Sequence, residues 1–299
     1  MQNNKRLWNE KTSVHLKADD FYNVEGFKKG RSSLLPLEVK ELGSVKGKTM
    51  LHLQCHFGLD TISWARKGAI PTGVDFSGKA IAAAASLSRE LKIPVRFLCS
   101  DIYDLPKKLK GRFDIVFTSY GVLCWLPDLK KWAKVIAYFL KPGGMFYIAE
   151  GHPFNYVFSN ERDDKKLMVK YSYFHSERPT KWESEGSYAD KTAVIANPSY
   201  EWTHSLGDII NALIGAGLQI EFLHEHPYGC YDHYPFMEKG KDGWWRLTGG
   251  KITIPLTFSL RAIKPGMNCP GRKVYHARDT LHDNQQAFQQ EKSNRPEEH

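Results

Sequence analysis

Between Lys46 and Gly151 short apolar runs alternate with amphipathic stretches, the pattern of βαβ units feeding a mainly parallel sheet. The runs Met50–Leu53, Ile70–Val74, Val95–Leu98, Phe113–Thr118 and Met145–Ala149 predict five strands. Between them, Leu59, Ile62 and Ala65 follow helical spacing up to Gly68, and Ser77 is placed to cap an Ala-rich helix reaching about Leu91. Leu129, Trp132, Val135, Ile136, Phe139 and Leu140 form a third apolar stripe, ended by Pro142-Gly143-Gly144. Farther on, Ser205 caps a helix carrying Leu206, Ile209, Ile210, Leu213 and Ile214. Two more strands, Leu218–Leu223 and Ile254–Ile263, follow, the second with Pro255 at its start, where a missing amide donor does least harm.

The pattern fails between His152 and Thr203, which is rich in Tyr, Trp, His and charge and reads as an insertion over the sheet. The expected organisation is therefore a main domain at 46–263, preceded by residues 1–45, with an insertion or lid at 152–204. A polar, Gln-rich tail at 264–299 is expected to be mobile. The fold class is α/β, a doubly wound sheet.

Composition narrows the function. Hydrophobic residues make up 41% and charged residues 25% of the 299, as in a globular protein. No apolar run is long enough to cross a membrane and the N-terminus lacks a signal-peptide core, so a cytoplasmic protein with no membrane partner is expected. Cys55, Cys99, Cys124, Cys230 and Cys269 are odd in number and form no C-x-x-C pair; free thiols and no metal site are expected. The net charge of +9 invites a nucleic-acid reading, but Lys and Arg are dispersed along the chain and nucleic acid is not the expected partner.

Ligands of an open α/β sheet bind at the C-terminal strand ends, where neighbouring crossovers part. Those ends read Leu51-His52-Leu53-Gln54-Cys55-His56-Phe57-Gly58, Gly73-Val74-Asp75-Phe76-Ser77, Cys99-Ser100-Asp101-Ile102 and Thr118-Ser119-Tyr120-Gly121. A carboxylate after the second strand, Asp75, can accept both hydroxyls of a ribose. Asp101 can accept the exocyclic amine of an adenine whose faces Phe76 and Ile102 enclose. Nothing resembles a phosphate cradle: Gly43–Thr49 has the wrong glycine spacing and runs into a strand. Asn197-Pro198-Ser199-Tyr200 resembles an amino-methylation motif but lies after the insertion, and Cys269-Pro270 lies in the tail.

These stations, with the turn Leu140–Gly144, resemble a class I S-adenosylmethionine-dependent methyltransferase. The resemblance implies a seven-stranded, mainly parallel, Rossmann-like sheet with an antiparallel edge hairpin. It implies S-adenosylmethionine as cofactor and S-adenosylhomocysteine as product, a methyltransferase domain at 46–263 and, by analogy with that family, an N-terminal helical cap at 1–45. By position, Gln54, His56, Phe57 and Gly58 would lie against the methionine part with Ser119, Tyr120 and Gly121, and Asp75, Phe76, Ser77, Asp101 and Ile102 around the nucleoside. The first loop departs from the family's D-x-G-x-G-x-G, keeping only Gly58; LHLQCHFG is similar to a variant found in a bacterial branch.

The expected activity is methyl transfer to a small-molecule acceptor. The acceptor would be bounded by the insertion and the aromatic segment Tyr228–Trp245. Methyl transfer is an in-line displacement needing a base only if the acceptor must lose a proton, and His152, just past the fifth strand, is the best-placed candidate. Two alternatives remain: a protein that binds S-adenosylmethionine without turnover, and an NAD-dependent oxidoreductase using Asp75 on the ribose.

Overall fold

The computed structural model describes residues 2–183, 186–249 and 253–266; the expectations for the tail beyond Gly266, Cys269 included, lie outside them. Three helices come first, α1 (Gln2–His15), α2 (Val24–Lys28) and α3 (Pro36–Leu42). The alternating region follows as β1 (Thr49–Leu53), α4 (Leu59–Arg66), β2 (Ile70–Asp75), α5 (Gly78–Glu90), β3 (Arg96–Cys99), α6 (Leu105–Lys108), β4 (Phe113–Ser119), α7 (Leu129–Phe139) and β5 (Leu140–Gly151). After it come β6 (Thr180–Trp182), β7 (Ser199–Glu201), α8 (Leu206–Gly215), β8 (Gln219–His226), β9 (Met237–Lys239), β10 (Trp245–Leu247) and β11 (Thr257–Ile263).

Seven strands form one sheet in the order β3-β2-β1-β4-β5-β11-β8. The first five run parallel, and β11 pairs antiparallel with both β5 and β8. Strand order reverses beside β1, so the crossovers leaving β1 and β4 part on opposite faces and open a crevice at the strand ends.

Alternation along the strands divides the core in two. Val116, Phe146, Ile148 and Leu260 face α7 and α8, where Trp132, Phe139 and Leu213 are buried. Ile115, Phe117, Tyr147 and Met50 point to the opposite face, against Trp64 of α4 and Leu37 and Leu42 of α3. Helix starts follow local chemistry. Ser77 Oγ accepts from Ala80 N at 3.1 Å to start α5, and Asp128 Oδ1 accepts from Lys131 N at 2.9 Å to start α7. Ser205 and Asp208 form a reciprocal capping box at α8.

Two boundaries differ from the sequence expectation. The Pro142-Gly143-Gly144 turn lies inside β5, where the pairing with β4 shifts register between Phe113 and Ile115, so α7 passes straight into the strand. The last strand begins at Thr257, leaving Ile254 and Pro255 in the approach to it.

The N-terminal segment and the insertion are bound to each other. Asn4 of α1 donates to Tyr200 O at 2.7 Å and accepts from Tyr200 N at 2.9 Å, and Glu10 Oε1 accepts from Ala196 N at 2.9 Å. Among the described residues no helix is long and apolar enough to cross a membrane.

Trp132 is fully buried between α7 and the sheet, edge-on to Phe146 with ring centroids 5.4 Å apart. Trp132→Ala is expected to cost about 3–5 kcal/mol of stability, read as a lowered urea midpoint.

Candidate functional site

The loop after β1 is built on left-handed backbone: Gln54 and His56 have φ of 56° and 49°, and Gly58, at 80°, begins α4. A Cβ on Gly58 would lie 2.7 Å from the Phe97 ring and 2.9 Å from Ala84, so glycine is required there. The side chains of the two non-glycine residues are used within the protein. Gln54 Nε2 donates to Val122 O at 3.0 Å, and His56 Nε2 lies 2.9 Å from His15 Nδ1 of α1.

Asp75, at the end of β2, is buried. Its Oδ2 accepts from His56 N at 2.9 Å and its Oδ1 from Ser77 N at 2.8 Å. Burial pushes its carboxyl up to about 6, against the pull of these amide bonds. Asp101 accepts from Tyr103 N at 2.9 Å, with Ile102 anchored in the core beneath it.

At the end of β4, Ser119 Oγ donates to Asp60 Oδ2 at 3.1 Å, and Tyr120, at a φ of 24°, donates its hydroxyl to Glu38 Oε2 at 3.0 Å. The next turn closes on Glu150, a buried carboxylate at the end of β5. It accepts from the amides of Gly121, Val122 (2.7 Å), Leu123 (3.3 Å) and Gly151 (2.8 Å).

The loop after β1, the strand-end residues Asp75, Asp101, Ser119, Tyr120 and Glu150, and Glu38 and Asp60 border one cavity of about 1040 Å³. Of the residues singled out from the sequence, Gln54, His56, Phe57, Gly58, Asp75, Phe76, Asp101, Ile102, Ser119, Tyr120 and Gly121 line it. Ser77 and His152 do not, and both expectations need correction. Ser77 is fully buried, capping α5 and donating to Asn9 Oδ1 at 2.8 Å. His152 accepts from Phe154 N through Nδ1 and directs Nε2 toward Glu225 Oε1, 2.9 Å away on the β8 side. Burial draws its pKa down, against the opposing influence of Glu225.

Sequence reasoning missed Glu38, Asp60 and Glu150. Glu150 was within reach of it, being a carboxylate at a strand end like Asp75. Glu38 and Asp60 are brought in by helices whose docking no local pattern announces. The insertion supplies walls that include Tyr171, Trp182 and Trp202, and the β8–β11 connection adds Tyr231 and Trp245.

Residues 51–148 match the methyltransferase domain family model. Over this stretch, which runs from β1 into β5, the chain carries a methyltransferase domain. It is 33% identical over 135 residues to a ubiquinone biosynthesis O-methyltransferase of Coxiella burnetii, covering 44% of this chain and 57% of that protein. A Chromobacterium violaceum protein of the same name is 31% identical over 106 residues, 36% of this chain and 45% of its own length. The chain thus spans about half the length of the curated relatives it matches. Among solved structures, an S-adenosylmethionine-dependent methyltransferase from Mesorhizobium loti is similar over 79% of this chain and 99% of its own, with a TM-score of 0.53 at 19% identity. One from Methanosarcina mazei has a TM-score of 0.51 at 16% identity over 78% and 99%. Both share the Rossmann-like fold of this chain, a mainly parallel sheet with alternating helices.

The Glu38 carboxyl, almost fully enclosed, is raised from an ordinary 4.5 to about 8, chiefly by burial and then by Asp60. A carboxyl raised on folding favours the folded state most below its unfolded value and loses that contribution as pH climbs through the folded one. Wild-type stability should therefore fall between about pH 4.5 and pH 8 relative to Glu38→Gln, in urea unfolding followed across that range. Parallel profiles would contradict the assignment.

Proposed function

We propose that this protein transfers a methyl group from S-adenosylmethionine to a hydroxyl-bearing small molecule. One observation carries the reading. A single cavity extends from the strand-end carboxylates Asp75 and Asp101 to the aromatic walls of the insertion and the β8–β11 connection. The names of the curated relatives, O-methyltransferases, favour oxygen as the attacking atom.

The residues present fit the cofactor. Asp75 has one amide bond on each oxygen, leaving a lone pair on each for a ribose hydroxyl. Asp101 is placed for an exocyclic amine, with Phe76 and Ile102 beside the ring. Gln54 Oε1 and His56 Nδ1 are buried without a hydrogen-bond partner among the described residues, leaving polar atoms beside the proposed methionine site. The loops Gln54–Gly58 and Ser119–Gly121 would flank that part, held in shape by Asp75 and Glu150. Residues 1–45 and 152–204 would serve as the walls that exclude water and orient the acceptor. In this scheme Ser77 is a helix cap and His152 has no chemical role.

When bound, S-adenosylmethionine supplies an electrophilic methyl group on a sulfonium. The work left to the chain is to line up the acceptor and dispose of its proton. The absence of a phosphate cradle among the strand-end loops weighs against a dinucleotide.

Calorimetric titration with S-adenosylmethionine, S-adenosylhomocysteine and NAD in parallel tests the pocket, and transfer of a labelled methyl group to catechol tests turnover. Binding of the first two alone, followed by labelled product, is the expected result; binding without product from any hydroxyl compound would favour the non-catalytic reading. Asp75→Ala is expected to lose about 1–3 kcal/mol of cofactor affinity, roughly a 10- to 100-fold weaker Kd. Unchanged affinity would remove Asp75 from the ribose.

A further inference from the structure

The reading above leaves the acceptor's proton without a destination. Most candidate bases on the cavity wall are already committed. His204 Nε2 lies 2.7 Å from Leu126 O and His233 Nδ1 lies 3.0 Å from the Tyr231 hydroxyl, while burial and the neighbouring His15 and Lys11 disfavour a proton on His56. Glu38 and Asp60 accept from side-chain hydroxyls and Glu150 from four backbone amides.

Lys11 of α1 differs from these. It borders the cavity, and among the described residues its Nζ makes no hydrogen bond or ion pair. Instead it lies over three aromatic rings, 5.5 Å from the centroid of Trp8, 5.6 Å from Trp125 and 6.0 Å from Tyr188. We propose that the side-chain amine of Lys11 takes the proton from the acceptor hydroxyl, a role that rests on the hydroxyl-acceptor reading above.

The step balances. The acceptor oxygen forms its bond to the methyl carbon while its proton passes to Nζ; the carbon–sulfur bond breaks and its electron pair stays on sulfur. A neutral amine and a sulfonium become an ammonium and a neutral thioether, so the enclosed space carries one positive charge before and after. The rings of Trp8, Trp125 and Tyr188 attract the ammonium as it forms, and it returns its proton to water when product leaves.

Burial already draws Lys11 below the usual range of an amine, opposed by Glu201 and Cys124. The other titratable groups facing it, His15, His56 and Tyr188, add no negative charge while His15 and His56 are held neutral by burial and the Tyr188 hydroxyl is raised by it. A sulfonium in the same cavity would lower it further.

Two measurements on the full chain test the role. In protein labelled at the lysine ε-carbon, with Lys11→Met to assign the signal, Lys11 should titrate below the other lysines. It should titrate lower with S-adenosylmethionine bound than with S-adenosylhomocysteine; titration together with the surface lysines in both complexes would overturn the proposal. With catechol as the probe, Lys11→Met should lose about 100-fold or more in kcat at neutral pH with cofactor affinity unchanged. That loss should shrink as pH approaches the probe's own ionisation. Lys11→Arg keeps the charge over the rings but cannot accept a proton, so it should not restore turnover; restoration would reduce Lys11 to a packing role. An enzyme that methylates catechol equally well without Lys11 overturns this proposal alone. One that binds cofactor and methylates no hydroxyl compound overturns the underlying reading, and the proton-acceptor role with it.

Discussion

The carboxylate of Asp75 holds the site together. By accepting from the amides of His56 and Ser77 it ties the loop after β1 to the start of α5. Left-handed backbone at Gln54 and His56 is costly for residues with side chains, and such a conformation persists only where surrounding bonds over-determine it. Here those bonds come from Asp75 on one side, from Val122 through Gln54 on a second, and from His15 on a third.

In that arrangement the side chains of the first loop do what the D-x-G-x-G-x-G pattern it resembles leaves to glycines. In the usual loop, glycines let the backbone bend closely and leave it bare. Here Gln54 fastens the loop to the turn after β4, and His56 fastens it to α1. Trp8 and Tyr22 stand around His56, and His15 continues to Ser187 of the insertion at 2.6 Å. Gln54 thus ties the loop to the turn after β4, and His56 ties it through α1 to the insertion.

The sheet was legible in the sequence because its information is local: alternation for strands, apolar stripes and caps for helices, carboxylates at strand ends. That rule picks out Asp75 and Asp101, and both line the cavity. Ser77 caps α5 as its position predicts, and that role turns it away from the cavity; His152 turns across to Glu225, because adjacency along the chain does not fix the direction of a side chain. Glu38, Asp60 and Lys11 reach the cavity through packing between segments far apart in sequence, and no window of residues contains that information. The boundary errors have similar causes. Register slippage absorbed Pro142-Gly143-Gly144 into β5, and the pairing of β11 with β8 stops at Thr257.

The sheet order places the two halves of the cavity under different constraints. The carboxylate half comes from one nearly contiguous stretch, β1 to β4, and shifting a strand there disturbs every strand paired with it. The aromatic half is assembled from three distant pieces, α1, the insertion and the β8–β11 connection, each reaching the cavity through a handful of side chains. Such walls can drift in sequence, lengthen or exchange aromatics without unpairing a strand. Selection for a new acceptor would act on pieces that the folding of the sheet does not need, so chemistry and clientele can evolve at separate rates within one chain.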